Sequence, residues 1–367
     1  MTRKAWKAYS KYAWGEDSLK PLEKRSHEGS FGRNSGRSIL ASMSTLWVTG
    51  LRQEFEQGER WIDEKFNFSN IDANRGKLFN EVVEFMGGLL SLYALTGRES
   101  YLRKAKEVAM NLEDAYSTET GLPFRYYNPK TKKRLYEVSW LSDIGGQYLE
   151  HAYLSDLTPQ DGGRQRAIVN RIRQHLKAAK RANGLYLDHL QVDGRWSSLW
   201  SSLSSMSREF FANLLKSYLQ SDGQNEEAME MYFDAVSAMV TSGMLHVGGG
   251  GEEEVCARSY CPEEVEDERQ YSLFMEYGDC YLGAMLSLGA KAMRARLFTG
   301  DETKRQTYLR EAQRHLKLAV KLTETCHRAS NQTSSCLGPD IFYVQKLKVL
   351  NGNYFLRYLF WNGKLKS

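Results

Sequence analysis

Potentially reactive side chains are densest between Gly248 and Asp267. There Gly248-Gly-Gly-Gly251 runs into three glutamates, then Cys256, Cys261 and further acids. A glycine run that cradles phosphate needs a following Lys-Ser or Lys-Thr, and here the next charges are negative. A structural zinc takes four ligands, and Cys256 and Cys261 supply two at an unsuited spacing. The stretch therefore reads as a surface loop, with a local Cys256–Cys261 disulfide open to it in an oxidising compartment. Cys280, Cys326 and Cys336 bring the cysteines to an odd total of 5. That fits a reduced protein or an oxidised one with a spare thiol. Two triplets, Asn67-Phe-Ser and Asn331-Gln-Thr, would accept N-glycans on a secretory route.

A second chemistry is charge. From Gly162 to Gly184 the chain carries Arg164, Arg166, Arg171, Arg173, Lys177, Lys180 and Arg181 with no acid. Such a run would suit nucleic acid or lipid headgroups. The plainer reading is a solvated helix face, and no nucleic-acid partner is expected. The net charge of +5 names no partner. No run approaches the ~18 apolar residues of a membrane span. Met1-Thr-Arg-Lys-Ala-Trp lacks the apolar core of a signal peptide, so none is visible.

The elements that must position these groups are helical. A 41% hydrophobic composition excludes disorder, and only 6 prolines in 367 residues leave few helix breakers. Ile39, Leu40, Met43, Leu46, Trp47 and Leu51 recur at three- and four-residue steps, as do Phe79, Val82, Val83, Met86, Leu89, Leu90 and Tyr93. Further helices are expected near residues 141–154, 164–182, 209–219, 226–244, 271–297 and 307–325. Leu95-Thr-Gly-Arg-Glu-Ser-Tyr101-Leu-Arg-Lys-Ala105 is echoed by Phe298-Thr-Gly-Asp301 and Tyr308-Leu-Arg-Glu-Ala312. Each is a helix end, a Thr-Gly turn and a new helix, the mark of stacked helical hairpins. No Pro- or Ser-rich linker divides the chain, so residues 1–367 are expected to form one domain.

Several blocks, in order, resemble glycoside hydrolase family 47, the class I α-1,2-mannosidases. They are Ala5-Trp-Lys-Ala-Tyr-Ser-Lys-Tyr-Ala-Trp-Gly-Glu-Asp-Ser-Leu-Lys-Pro21, Ser44-Thr-Leu-Trp-Val-Thr-Gly-Leu-Arg-Gln-Glu-Phe-Glu56, and Gly87-Gly-Leu-Leu-Ser-Leu-Tyr-Ala-Leu-Thr-Gly97 followed by Thr120-Gly-Leu-Pro123. Then come Cys280-Tyr-Leu-Gly-Ala-Met-Leu-Ser-Leu-Gly289, Glu324-Thr-Cys326, Leu337-Gly-Pro-Asp340 and Tyr354-Phe-Leu-Arg357. The resemblance implies an all-α fold, an (α/α) barrel of helical hairpins (an αα-toroid). It also implies a Ca²⁺-dependent inverting glycosidase that trims α-1,2-linked mannose from high-mannose N-glycans in the endoplasmic reticulum or Golgi lumen, or a relative that binds such glycans. Inversion needs a carboxylic acid for the leaving oxygen and a carboxylate for water, ~6.5–9.5 Å apart.

The chain departs from the family where that chemistry sits. Asn80 stands at the position of the acid, Arg208 and Leu359 at those of two other carboxylates, and Glu84 where an arginine is expected. Ala41 and Ser44 replace two aspartates, and Tyr277 a histidine. Asp143, Glu150, Asp340 and Arg357 keep polar character and are the candidate glycan-binding residues. The resemblance pairs Cys280 with Cys326; in a reducing compartment they would be two buried thiols. The sequence ends at Ser367, soon after the Leu-Arg block, where the family continues through further hairpins with another acid and a calcium-ligating threonine. A barrel incomplete at its C-terminal end, with no metal ligand set, is expected, and Tyr354–Trp361 reads as an exposed apolar flank. The function this implies is a catalytically impaired relative, a pseudoenzyme that binds glycan or a glycoprotein. The alternatives are an active mannosidase using other carboxylates, and a non-functional fragment or helical interaction scaffold.

Overall fold

The computed structural model describes residues 1–181, 183–247, 255–257, 259–260, 274–295, 302–333, 336 and 338–343. Helices dominate, and they pair as hairpins because each has one apolar stripe to bury. The chain forms two compact units, Met1–Ala179 with His189–Ser197, and Lys180–Asp188 with Ser198–Ser367.

In the first unit, helix Arg37–Val48 pairs with Arg52–Lys65, Gly87–Thr96 with Glu99–Leu112, and Tyr148–Leu157 with Arg164–Ala178. In the first of these pairs, Ile39, Leu40, Met43 and Leu46 of the one helix and Phe55 and Ile62 of the other are buried. The first pair packs closely through Gly58, where an added Cβ would lie 2.4 Å from Met43 Sδ. The Thr96-Gly97 turn forms where the sequence marks it. Gly97 takes φ +69°, a left-handed C-cap that glycine adopts without strain, and its N–H donates to the Tyr93 carbonyl at 2.8 Å.

Leu78–Asn80, a π-helical turn Glu81–Met86 and helix Gly87–Thr96 follow one another without a break. By length and composition Leu78–Thr96 would cross a bilayer. The sequence reading missed this because Asn80, Glu81 and Glu84 interrupt the apolar run. Here it serves as a core helix: Leu78, Val82, Phe85, Met86, Leu89, Leu90 and Leu92 are buried, and Phe85 meets the rings of Phe31, Phe66 and Phe68.

In the second unit, helix Arg208–Gln220 turns through Asp222 and Gly223, both at positive φ, into Glu226–Thr241. Helix Tyr281–Ala295 pairs with Glu302–Asn331, and a disulfide joins Cys280 to Cys326. The Phe298–Asp301 turn lies outside the described residues.

Three expectations need correction. The helix foreseen over 141–154 is two, Leu141–Gly145 and Tyr148–Leu157, divided at Gly145-Gly146. The one foreseen from 271 begins at Tyr281, because Phe274–Glu276 is a strand paired with Ile341–Tyr343. A capping box follows, in which Asp279 accepts from the Glu276 N–H at 3.0 Å. The loop from 248 is partly a hairpin, since Val255–Ala257 pairs antiparallel with Leu245–Val247. Cys261 and the side chain of Cys256 lie outside the described residues.

Candidate functional site

Asn80 ends the short turn Leu78–Asn80 and is half-buried. Glu81 beside it is 0% exposed, and neither carboxylate oxygen has a hydrogen-bond partner. Burial drives its pKa well above the usual carboxylate range. Gly76 covers it so closely that an added Cβ would sit 2.7 Å from Oε1. Glu84, one turn on, is held by Arg37, which also donates Nη1 to the buried Asp17 at 3.3 Å.

Asp143 lies in the first turn of Leu141–Gly145 and is buried. Its Oδ2 accepts from Arg125 Nε at 3.2 Å and lies 4.0 Å from Lys77 Nζ. Burial raises the Asp143 pKa, and the two cations oppose the rise. Lys77 is lowered by burial. Both cations sit on Trp140, Lys77 Nζ at 4.1 Å and Arg125 Cζ at 3.9 Å from the ring centre. On the ladder Val138–Trp140 with His189–Gln191, His189 stands opposite Trp140; burial, then Arg125, lowers its pKa. Beyond Arg125, the rings of Tyr126 and Tyr136 meet at 5.1 Å.

Glu150 packs against Gly87, where an added Cβ would approach its Cγ to 3.1 Å. Near it runs a buried polar chain. Tyr116 hydroxyl donates to Gln147 and lies 3.0 Å from His151 Nε2. His151 Nδ1 meets Gln165 Oε1 at 2.8 Å, and Gln165 Nε2 donates to Glu113 at 3.0 Å. Burial lowers His151 to about 4, so the ring is neutral at pH 7.

In the second unit, the Asp340 carbonyl accepts from the Tyr277 N–H at 3.0 Å. Arg208 lies 3.5 Å from Glu209 and presses on Gly278, where an added Cβ would sit 2.2 Å from Nη1. Asp188 is a group the sequence did not flag. It is buried, accepts from Ser202 N–H at 2.9 Å and Oγ at 2.8 Å, and burial pushes it up to about 6. Arg357, Leu359 and the flank 354–361 lie outside the described residues.

Asn67 and Asn331 are exposed. Asn67 Oδ1 accepts from Ser69 N–H and Oγ, and Asn331 meets His327 at 3.1 Å. Cys336 is an exposed free thiol. The basic run is largely paired: Arg164 with Glu113, Arg166 with Asp156, Lys180 with Asp234, while Arg171 donates to the Glu119 carbonyl and Arg173 is buried on the Tyr148 ring at 3.6 Å. Among the described residues no three His, Cys, Asp or Glu side chains group to hold a metal ion.

Residues 1–357 match the model of glycosyl hydrolase family 47. The chain is 34% identical over 352 residues to "Mannosyl-oligosaccharide alpha-1,2-mannosidase IA" of Drosophila melanogaster, covering 93% of the chain and 49% of that protein. It is 29% identical over 347 residues to human "Endoplasmic reticulum mannosyl-oligosaccharide 1,2-alpha-mannosidase", covering 92% and 45%. The chain thus spans about half the length of these curated relatives. Among solved structures, an α-1,2-mannosidase from Trichoderma reesei superposes with a TM-score of 0.76 at 20% identity, over 93% of the chain and 69% of the other. That likeness identifies the fold as the (α/α) barrel of helical hairpins expected from the sequence.

Proposed function

The chain belongs to glycosyl hydrolase family 47, and from that premise we propose that it binds high-mannose N-glycans, or a glycoprotein carrying them, while its power to hydrolyse them is impaired. The observation that carries this reading is the pair Asn80 and Glu81. An amide at the acid's position has no acidic proton to give, and the carboxyl next to it is fully buried beneath Gly76. A one-residue step turns a side chain about 100° around a helix, so Glu81 does not take the place of its neighbour. Arg208, at a second carboxylate position, is a cation. Loss of one positioned acid costs about 10²–10⁴ in rate.

Asp143, Glu150, Asp340 and Arg357 are proposed to hydrogen-bond sugar hydroxyls. Calcium is what the family implies, and no step is assigned to it. The Cys280–Cys326 bond supports an oxidising compartment. The endoplasmic reticulum or Golgi lumen, or secretion, is therefore proposed, with Asn67 and Asn331 as glycan acceptors. We also propose that both units form one family domain, which the match over residues 1–357 supports.

A glycan array tests the binding. The proposal expects retention of mannose-rich N-glycans over galactose-capped ones, weakened by Asp143→Ala. No retention of any mannose-rich glycan contradicts it.

A further inference from the structure

One part of the first unit carries more charge and more exposed aromatic surface than a neutral sugar requires. Lys77 and Arg125 share a single carboxylate, Asp143, at 4.0 and 3.2 Å. Arg125 spends only Nε on it, and its two terminal nitrogens have no hydrogen-bond partner among the described residues. Both side chains reach solvent, Lys77 at 27% and Arg125 at 16% exposure. The cluster therefore keeps one net positive charge and unused donors. Both cations also rest on Trp140, and a cation on an indole face is held in place by the ring quadrupole.

Tyr136 adds a second, independent observation. It is 69% exposed and takes φ +62°. A bulky residue in the left-handed region is strained, and such strain gathers at functional sites. Its ring meets that of Tyr126 at 5.1 Å, tilted by 54°, and its carbonyl accepts from the Arg125 N–H at 3.1 Å. The strained backbone thus sets an exposed aromatic face beside Arg125, whose Cζ lies 5.6 Å from the Tyr126 ring. Sugars present C–H faces that pack on such rings, and the planar guanidinium donates in pairs to phosphate or carboxylate.

We propose that Lys77, Arg125, Tyr126, Tyr136 and Trp140, around Asp143, form a binding site for an anionic saccharide, a sugar bearing a phosphate or carboxylate group. This rests on the reading of the chain as a glycan binder and narrows it to a substrate class. The anionic group lies against Lys77 Nζ and the free end of Arg125, and the ring of the sugar against the Tyr136–Tyr126 face.

Isothermal titration of the whole chain with mannose 6-phosphate, glucuronic acid and methyl α-mannoside tests it. The anionic sugars should bind at least about tenfold more tightly than the neutral one. Their advantage should fall with added salt. Preference for mannose 6-phosphate or for glucuronic acid tells which anion the site serves. Lys77→Gln and Arg125→Gln should each reduce that advantage about tenfold. Tyr136→Gly guards against misfolding as an explanation: it relieves the backbone, so the variant should melt no lower than the parent yet bind both sugar classes more weakly. If mannose-rich glycans bind but the anionic sugars gain nothing, the charge selectivity is wrong and the glycan-binding reading stands. If no saccharide binds, both are wrong.

Discussion

Arg37 and Glu84 lie 47 residues apart and meet in a two-pronged ion pair, with Nη2 donating to Oε1 at 2.8 Å and Nε donating to Oε2. Position 84 is where the family resemblance calls for an arginine. The charge is therefore reversed and then paired locally, with Asp17 as a second acceptor for Arg37. Restoring the family residue with Glu84→Arg should set two guanidinium groups together. Chemical denaturation should show a loss of about 2–4 kcal/mol. An unchanged midpoint would mean that the pair contributes nothing to the fold.

The disulfide makes a separate claim. Cys280 and Cys326 enclose a loop with a sequence separation of 46, which the chain-entropy model converts to about 3–4 kcal/mol. Cys280→Ala with Cys326→Ala, or reduction of the parent, should lower stability by about that amount. Cys336→Ser, at an exposed free thiol, should leave it unchanged. Equal melting temperatures with and without reductant would refute the assignment.

Asp188 predicts a pH dependence. Burial raises its folded pKa from 3.8 to about 6. The folded state therefore holds the proton more tightly than the unfolded chain. Its contribution is complete below about pH 4 and is lost as the pH rises through 6. Asp188→Asn keeps an oxygen to accept from Ser202 and removes the titration. Comparing parent and variant, the parent should lose about 2–3 kcal/mol relative to the variant between pH 4 and 7. Parallel stability curves over that range would contradict it.

How much of this was legible in the sequence depended on range. The Thr96-Gly97 turn and the hairpins follow from local signals, a glycine able to take φ +69° and apolar residues at helical steps. The break at Gly145-Gly146 was missed because the apolar pattern continues across it. Tyr136 carries no local mark of its left-handed backbone, since tyrosine is an ordinary strand residue. Asp188 finds Ser202 fourteen positions away, and Arg37 finds Glu84 through packing that no spacing rule predicts. The replaced carboxylate at Asn80 was legible only against the family. The burial of Glu81, which matters as much, was not.

Restoring one acid should not restore the reaction. Asn80→Glu supplies a carboxyl at the proposed acid position but leaves Arg208 and Leu359 as they are. Its hydrolysis of a high-mannose oligosaccharide should stay at background, and clear turnover would show that the other replaced positions are dispensable.

The most direct measurement follows release of free mannose from a fluorescently labelled, α-1,2-linked high-mannose oligosaccharide by the unmodified chain, with and without EDTA. The account predicts that the oligosaccharide is retained by the protein and recovered intact. Multiple turnovers of released mannose, abolished by EDTA, would contradict it.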